Sequence, residues 1–318
     1  MSAHTESIEP ADLIFLEPVF HTRVWGGGRL RYLYGYDAPP ERVGEMLALS
    51  ARPDSDSIVR DGRFAGMTLS SLWAEHPALF GGVCGDEFPL RIKILDAAAD
   101  LSVQVHPTAT YAARHDADSE KNECWYVMSA SWENRVVLGH HAQTADEFTR
   151  LAAENRWDKL LRSVDMRDRD FFHVPAGTVH ALLAGSLVYE VQQSSDSTYR
   201  LHDYDRLDNG RPRELHTEKA LAVLGAPSRP NRSIPFVTRS GAATRYEYAR
   251  GSHFALSRWV VTSQTLIPVD APFLVVGVLH GIGSINGVHV RGGEHFIAPA
   301  SVDALRVSGN VELMITTV

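Results

Sequence analysis

Four residues of three chemical kinds lie where one divalent ion can gather them. The segment LSVQVHP (101–107) sets Gln104 and His106 two positions apart, ECWY (123–126) opens on Glu123, and VPAGTVHA (174–181) delivers His180 after a Pro-Ala-Gly-Thr turn. Alternate side chains of an extended strand face the same way. Ser102, Gln104 and His106 therefore look inward together, while Leu101, Val103 and Val105 form an apolar row that packs outward. With Glu123 and His180, the amide and imidazole of that inward face complete an O/N/O/N set, a mixture that zinc accepts while keeping a position open for water or substrate. Each residue also has a plainer use, His180 as a hydrogen-bonded core histidine closing a turn and Glu123 as a solvated strand end. The polar face, the carboxylate opening the next strand and the turn before His180 together favour the ligand set.

The elements that must position these residues read mostly as strands. Runs rich in β-branched and aromatic residues include FLEPVF (15–20), MLALSA (46–51), RIKILDA (91–97), LSVQVH, ECWYVM, RVVLGH (135–140), FFHVPA (171–176), LVYEVQQ (187–193) and TYRLHDY (198–204). Further on come HFALSRWVVT (253–262), PFLVVGVLHG (272–281), GVHVRGGEHFIAP (287–299) and VELMITTV (311–318). Evenly spaced strands separated by Gly, Pro, Asn and Asp predict a β-sandwich or barrel rather than a parallel sheet. Two helices interrupt the pattern. One covers 68–80 behind a Thr68 cap; the other covers 144–164, with Thr144 and Glu147 spaced as a capping box and a stripe of Phe148, Leu151, Ala152, Leu160, Leu161 and Val164. Both read as ordinary amphipathic helices packed on a sheet. The Pro/Ser/Arg-rich segment 225–239 predicts a boundary, dividing a metal-bearing domain at 1–225 from a related metal-free β unit at 226–318.

Composition narrows the class of partner. The chain has 318 residues, 44% hydrophobic and 22% charged, as in soluble globular proteins with room for two ordinary domains. A net charge of −8 and the lack of a basic run argue against a nucleic-acid surface. The opening MSAHTESIEPADL has no basic n-region or apolar core of a secretory signal, and no apolar run approaches the ~20 residues that cross a bilayer. Two cysteines, Cys84 and Cys124, are too few for a disulfide scaffold, so a reduced cytoplasm is the expected compartment.

Across nearly the whole chain, from about Glu17 onward, a set of motifs resembles the type I mannose-6-phosphate isomerases, most closely their short bacterial form. They are WGG (25–27), VGE (43–45), FPLRIKILDA (88–97), LSVQVHP, KNECWYV (121–127), FFHVPAGTVHAL (171–182), YEVQQSSDSTYRLHDYDR (189–206) and RELHTEKA (213–220). The resemblance implies a mainly β chain of two cupin-like jelly-roll units with a few inserted helices. It implies one Zn2+ per chain on Gln104, His106, Glu123 and His180, and a small-molecule sugar phosphate as partner, with no nucleic acid or membrane involved. It makes Arg200 and Lys121 charged groups near the substrate, Ser102 a phosphate-holding serine, and Lys93 or Glu190 the proton-transfer base. The motif set departs from the family at 46–53, MLALSARP, where Leu47 and Arg52 stand for an aromatic residue and a histidine.

The implied reaction, mannose 6-phosphate to fructose 6-phosphate, removes a proton beside a carbonyl and returns it to the neighbouring carbon through an enediolate. A divalent metal, a base and fixed cations are the parts such chemistry needs. Three of these residues also have structural readings: Lys93 as a snorkelling lysine in an apolar run, Glu190 as an outward-facing strand residue, and Arg200, sharing a face with Thr198 and His202, as a salt-bridge partner. The rival functions are an isomerase for another aldose, a non-catalytic sugar-phosphate sensor, and an iron-dependent oxygenase. The glutamine ligand and the cations suited to an anionic substrate argue against the last.

Overall fold

The computed structural model describes residues 13–39, 42–115, 118–131, 135–228, 233–250 and 253–318. The opening segment through residue 12 and positions 229–232 of the expected boundary lie outside the described residues. The chain divides into two compact units. One takes the chain through Val19, Ala48–Pro89 and Ile234–Val318; the other takes Phe20–Leu47 and Leu90–Ser233. This division is discontinuous, where the sequence suggested a single cut at 225/226. The reason is strand pairing between distant segments. Ile14, Phe15 and Leu16 pair with Ile297, Phe296 and His295, and Leu16 also bridges Val59. Within the same unit Trp73, Phe80 and Phe88 stack edge-on or tilted around Phe273, with centroids 4.8–6.4 Å apart. The first expected helix (Leu69–Glu75, then a 3-10 turn Pro77–Phe80) therefore packs with the C-terminal strands.

That first unit is a nine-stranded sheet whose main path runs Ile14–Leu16, His295–Ala298, Leu274–Ile285, Ala304–Thr317, Ala255–Val261, Ala243–Arg250, Phe236–Ser240. Val276, Val278, Phe296, Leu305 and Leu313 fill its core. The expected strand at 287–299 is two strands, Val288–Arg291 and His295–Ala298, because Gly293 turns the chain at φ +97°.

The second unit holds every candidate residue. Its six-stranded sheet runs Val19–Gly27, Val43–Leu49, Leu90–Asp96, Leu187–Gln193, Glu123–Ser129, Phe171–Val174; its five-stranded sheet runs Tyr199–His202, Val103–Val105, His180–Leu182, Arg135–His140, Leu161–Asp165. One core joins the two, with Trp25, Leu95, Trp125, Val127 and Val188 from the larger sheet meeting Val136, Leu138 and Leu182 from the smaller. A second core lies on the other face of the smaller sheet, where Val103, Val105, Tyr199 and Leu201 meet Phe148, Leu160, Ala220 and Val223 of the helices. Val103 and Val105 thus face the helices, as alternation along the strand requires. Leu101 departs from them: it precedes the strand and joins the inner core.

The helix expected over 144–164 breaks into Ala145–Ala153 and Trp157–Leu160, and the chain then becomes the strand Leu161–Asp165. Asn155, at φ +54°, ends the first helix. Beyond it Leu161 and Val164 pack on opposite faces, one in each core, as strand residues do. The Thr144 cap is present, its hydroxyl accepting from the Glu147 N–H at 3.1 Å. Three short helices, Arg29–Leu33, Ala109–His115 and Thr217–Val223, are too brief to leave a periodic signal.

Candidate metal centre

Strand register brings the ligand candidates to one point. Gln104 is the cross-strand partner of both His180 and Arg200 in the smaller sheet, so three inward side chains stand in a row. Glu123 enters from the first position of its strand in the larger sheet. His106, Glu123 and His180 are buried, and their ligand atoms all lie within 4.8 Å of one another. Glu123 Oε2 is 3.1 Å from His106 Nε2, and its Oε1 is 3.3 Å from His180 Nε2. The Gln104 amide nitrogen is 3.3 Å from His180 Nε2. Its amide is isosteric end for end, and a half-turn presents the oxygen there instead.

The second nitrogen of each ring fixes the tautomer. His106 Nδ1 donates to the carbonyl of Ser197 at 2.9 Å, and His180 Nδ1 donates to the carbonyl of Thr178 at 2.8 Å. Each Nε2 is left with a lone pair aimed at Glu123. Burial pushes His106 down to about 3, with the Lys121 charge adding to it, and burial likewise lowers His180. Both rings are neutral at pH 7. Burial raises the Glu123 carboxyl, but Lys121 first, and then the His106 and His180 imidazoles beside it, outweigh burial and hold the group well below the usual range.

Apart from the Lys121 ammonium at its edge, acceptor meets acceptor here: two imidazole lone pairs and a carboxylate whose buried oxygens have no aligned hydrogen-bond donor. A cation between them relieves that clash, and these ligand atoms are those that divalent zinc prefers. The residues present fit the metal that the fold family implies. Lys121 supplies a positive charge at its edge, Nζ lying 3.2 Å from both Glu123 Oε2 and His106 Nε2.

Lys93 and Glu190 occupy the inner face of the larger sheet. They are direct cross-strand partners, and Glu190 is paired on its other side with Trp125. Lys93 Nζ lies 3.4 Å from Glu190 Oε1, and the Trp125 indole N–H donates to Glu190 Oε2 at 2.9 Å. The Trp125 ring in turn sits 5.4 Å from that of His180. Burial raises the Glu190 carboxyl and the Glu123 charge raises it further, against Lys93 and Lys121. Both residues point inward, and neither snorkels to solvent.

Ser102 and Arg200 complete the inward row. The Ser102 hydroxyl is 3.3 Å from Gln104 Oε1, and Arg200 Nε donates to that hydroxyl at 3.3 Å. Arg200 is held by the Glu214 carbonyl at 2.7 Å and, through its backbone N–H, by His216 Nδ1 at 3.2 Å. His202 does not share the face of Arg200. A register shift between the two turns it away, and it stacks on Trp157 at 4.8 Å. Of the two departures from the family motif, Leu47 is fully buried and Arg52 pairs with Glu87 at 2.9 Å.

Sequence reasoning missed the carbonyls of Ser197 and Thr178, which carry no side-chain signature. It also gave no role to Glu45 or His216, although both stand in motifs that it singled out.

Two facing antiparallel sheets around a buried His–Glu–His cluster, with an inward glutamine beside it, are the arrangement of a cupin fold with a candidate metal site. Residues 13–126 match the family model "Phosphomannose isomerase type I, catalytic domain", and residues 244–318 match "Mannose-6-phosphate isomerase, cupin domain". A mannose-6-phosphate isomerase of Bacillus subtilis is 39% identical over 95% of this chain and 98% of its own. One from Streptococcus mutans is also 39% identical, over 96% and 98%. The crystal structure of the mannose 6-phosphate isomerase from Bacillus subtilis superposes with a TM-score of 0.94 at 37% identity, covering 97% of this chain and all of that one. The chain belongs to the type I mannose-6-phosphate isomerase family and is an enzyme of that class.

Proposed function

We propose that this enzyme interconverts mannose 6-phosphate and fructose 6-phosphate with one zinc ion held by Gln104, His106, Glu123 and His180. The observation that carries the reading is the convergence of two neutral Nε2 atoms and the Glu123 carboxylate on one buried point. Zinc bound there supplies Lewis-acid polarisation of the sugar carbonyl.

The remaining work falls to the chain's own side chains. Proton transfer between the two carbons needs a base that holds the proton more strongly than an ordinary carboxylate does, and a buried carboxyl with a raised pKa has that property. Glu190 is the residue with it, and the Trp125 N–H and Lys93 ammonium fix its two oxygens in orientation. Lys93, facing a carboxylate, acts as the fixed cation of the pair. Lys121 lies beside the ligands, so its charge favours the enediolate's negative oxygen. Ser102 and Arg200, already in contact, offer a hydroxyl and a guanidinium suited to phosphate.

The test is a coupled assay for fructose 6-phosphate formed from mannose 6-phosphate, before and after chelation and zinc return. Loss to the chelator with recovery on zinc supports both substrate and metal. A chain holding stoichiometric zinc but inert on mannose 6-phosphate overturns the substrate assignment.

A further inference from the structure

Asn122 lies between Lys121 and Glu123 in the KNECWYV motif and belongs to no ligand set. It precedes the strand Glu123–Ser129, which runs in the larger sheet between Leu187–Gln193 and Phe171–Val174. Glu123 is the last residue in register with either neighbour, opposite Gln192 on one side and Val174 on the other. The side chain of Asn122 carries the contact one step further on both flanks. Its Nδ2 donates to Gln193 Oε1 at 2.7 Å, its backbone N–H donates to the same oxygen at 2.9 Å, and the Gln193 N–H donates to the Asn122 carbonyl at 3.1 Å. On the opposite flank the Ala176 N–H donates to Asn122 Oδ1 at 3.0 Å. Backbone donors thus fix which end of each amide is oxygen, Ala176 for Asn122 and Asn122 for Gln193.

Each flank leads to the carbonyl that orients one histidine. Beyond Gln193, the Ser195 N–H donates to the Gln193 carbonyl at 2.8 Å and the Ser197 N–H donates to Ser195 Oγ at 3.3 Å; the Ser197 carbonyl then accepts from His106 Nδ1 at 2.9 Å. Ala176 belongs to the turn 175–178, which the Thr178 N–H closes on the Pro175 carbonyl at 3.1 Å. The Thr178 carbonyl accepts from His180 Nδ1 at 2.8 Å. One amide therefore spans both loops, and the next residue in the chain is Glu123. A carbonyl bonded to one ring nitrogen sets the direction of the other. Loops lack the ladder that holds a strand in place, so their carbonyls depend on contacts of this kind.

We propose that Asn122 is a positioning residue of the metal centre: it clamps together the two loops whose carbonyls aim His106 and His180, and so keeps both Nε2 atoms converged on Glu123. This rests on the reading of His106, Glu123 and His180 as zinc ligands. A side chain too short to span the loops leaves each free to shift without the other, and the two rings with them.

The test reads zinc affinity, by competition with a chelator of known affinity, together with the imidazole Nδ1–H resonances of His106 and His180, recorded with and without zinc. Asn122→Ala should raise the Kd for zinc about tenfold and displace both resonances. Gln193→Met removes the acceptor on one flank only, so it should displace the His106 resonance and leave that of His180 in place. If Asn122→Ala does not fold, Asn122→Asp carries the test. One of its oxygens still accepts from Ala176 while the other meets Gln193 Oε1, so the His106 resonance should again move alone. A folded Asn122→Ala with parent zinc affinity and both resonances unmoved overturns the proposal, whatever its Tm. A shift confined to one ring in that variant overturns it too, as do equal shifts of both rings in Gln193→Met. A parent enzyme that binds no zinc overturns the ligand assignment instead, and the metal-free resonances then still decide whether Asn122 orients the rings.

Discussion

Lys93 and Glu190 face each other as direct partners on adjacent strands, both buried, with Nζ 3.4 Å from Oε1. The two carboxylates that flank Lys93 are driven in opposite directions. Glu45 is held well below the usual range by the charges around it, whereas burial and the nearby Glu123 charge raise Glu190. Environments that separate two like groups in this way assign them different tasks. The low one stays an anion, and the high one takes up a proton at a higher pH than an ordinary carboxylate.

Glu190→Gln keeps the shape and the Trp125 contact but removes the basic oxygen. It should lower kcat by ~10²–10⁴-fold with zinc still bound. The acid limb of kcat/KM in the parent enzyme should lie above the ordinary carboxylate range, since turnover is lost as pH falls through the raised pKa. Lys93 opposes that rise, so Lys93→Met should move the limb to still higher pH. A limb that stays put or moves down would mean that another group titrates.

Metal and stability are linked at His180. Zinc held as proposed would bind the folded site and not the open chain, so free zinc at a hundredfold excess over Kd should stabilise the protein by about 2.7 kcal/mol. Calorimetry with and without chelator measures the difference as a shift in Tm. His180→Ala should abolish both the shift and turnover, and an active variant devoid of metal would refute the ligand assignment.

How far the site could be read from the sequence depended on whether its cause was local. The period-two alternation of VQVH shows which residues share a face, because the pleat acts within a single strand. Alternation does not say where pairing starts, so Leu101 was assigned to the outer row when it belongs to the inner core. It does not reveal a bulge either, and the register shift after Arg200 turned His202 to the other side. The helix expected to run to Val164 shows the same limit, because apolar residues near helical spacing also suit a strand whose two faces both meet cores. Glu45 was legible only as part of a motif. Lys93, whose charge lowers it, lies on a strand that is adjacent in the sheet but distant in the chain, and no short-range pattern encodes that adjacency.

The metal-free protein should be acid-sensitive with a definite sign. His106 is lowered from 6.5 to about 3 by burial, and His180 is lowered by the same cause. The unfolded chain binds these protons first, so the stability contributed by the neutral rings is complete above the unfolded value near 6.5 and is lost as pH falls below it. Each histidine adds about 1.4 kcal/mol per pH unit to that slope until its folded pKa is reached. Urea unfolding between pH 7 and 4 should show a steep decline that flattens in His106→Ala; equal slopes would mean that His106 is not held neutral.

Arg200, proposed to meet the substrate and not the metal, is cradled by Ser102, the Glu214 carbonyl and His216. Arg200→Ala should cost about 10²–10³-fold in turnover while zinc content stays stoichiometric. Loss of zinc in that variant would move Arg200 from the substrate to the metal's support.

The WGG motif makes a prediction about folding rather than chemistry. A Cβ on Gly27 would fall 2.2 Å from Asp96 Oδ2. That carboxylate is buried, and it is bound by the Arg29 backbone N–H at 2.7 Å and by Arg29 Nε at 2.6 Å. The Arg29 guanidinium in turn reaches the Ser186 carbonyl at 2.6 Å, tying the turn after the first strand of the larger sheet to the loop that precedes the Glu190 strand. Gly27→Ala must push Asp96 away and break this clamp, at a cost of roughly 1–3 kcal/mol. Because the clamp lies away from the metal, kcat of the folded fraction should be near that of the parent enzyme, and the loss should appear in Tm and in the urea midpoint. Gly27→Ala with an unchanged Tm would show that Asp96 has room to move and that the glycine is not required by packing.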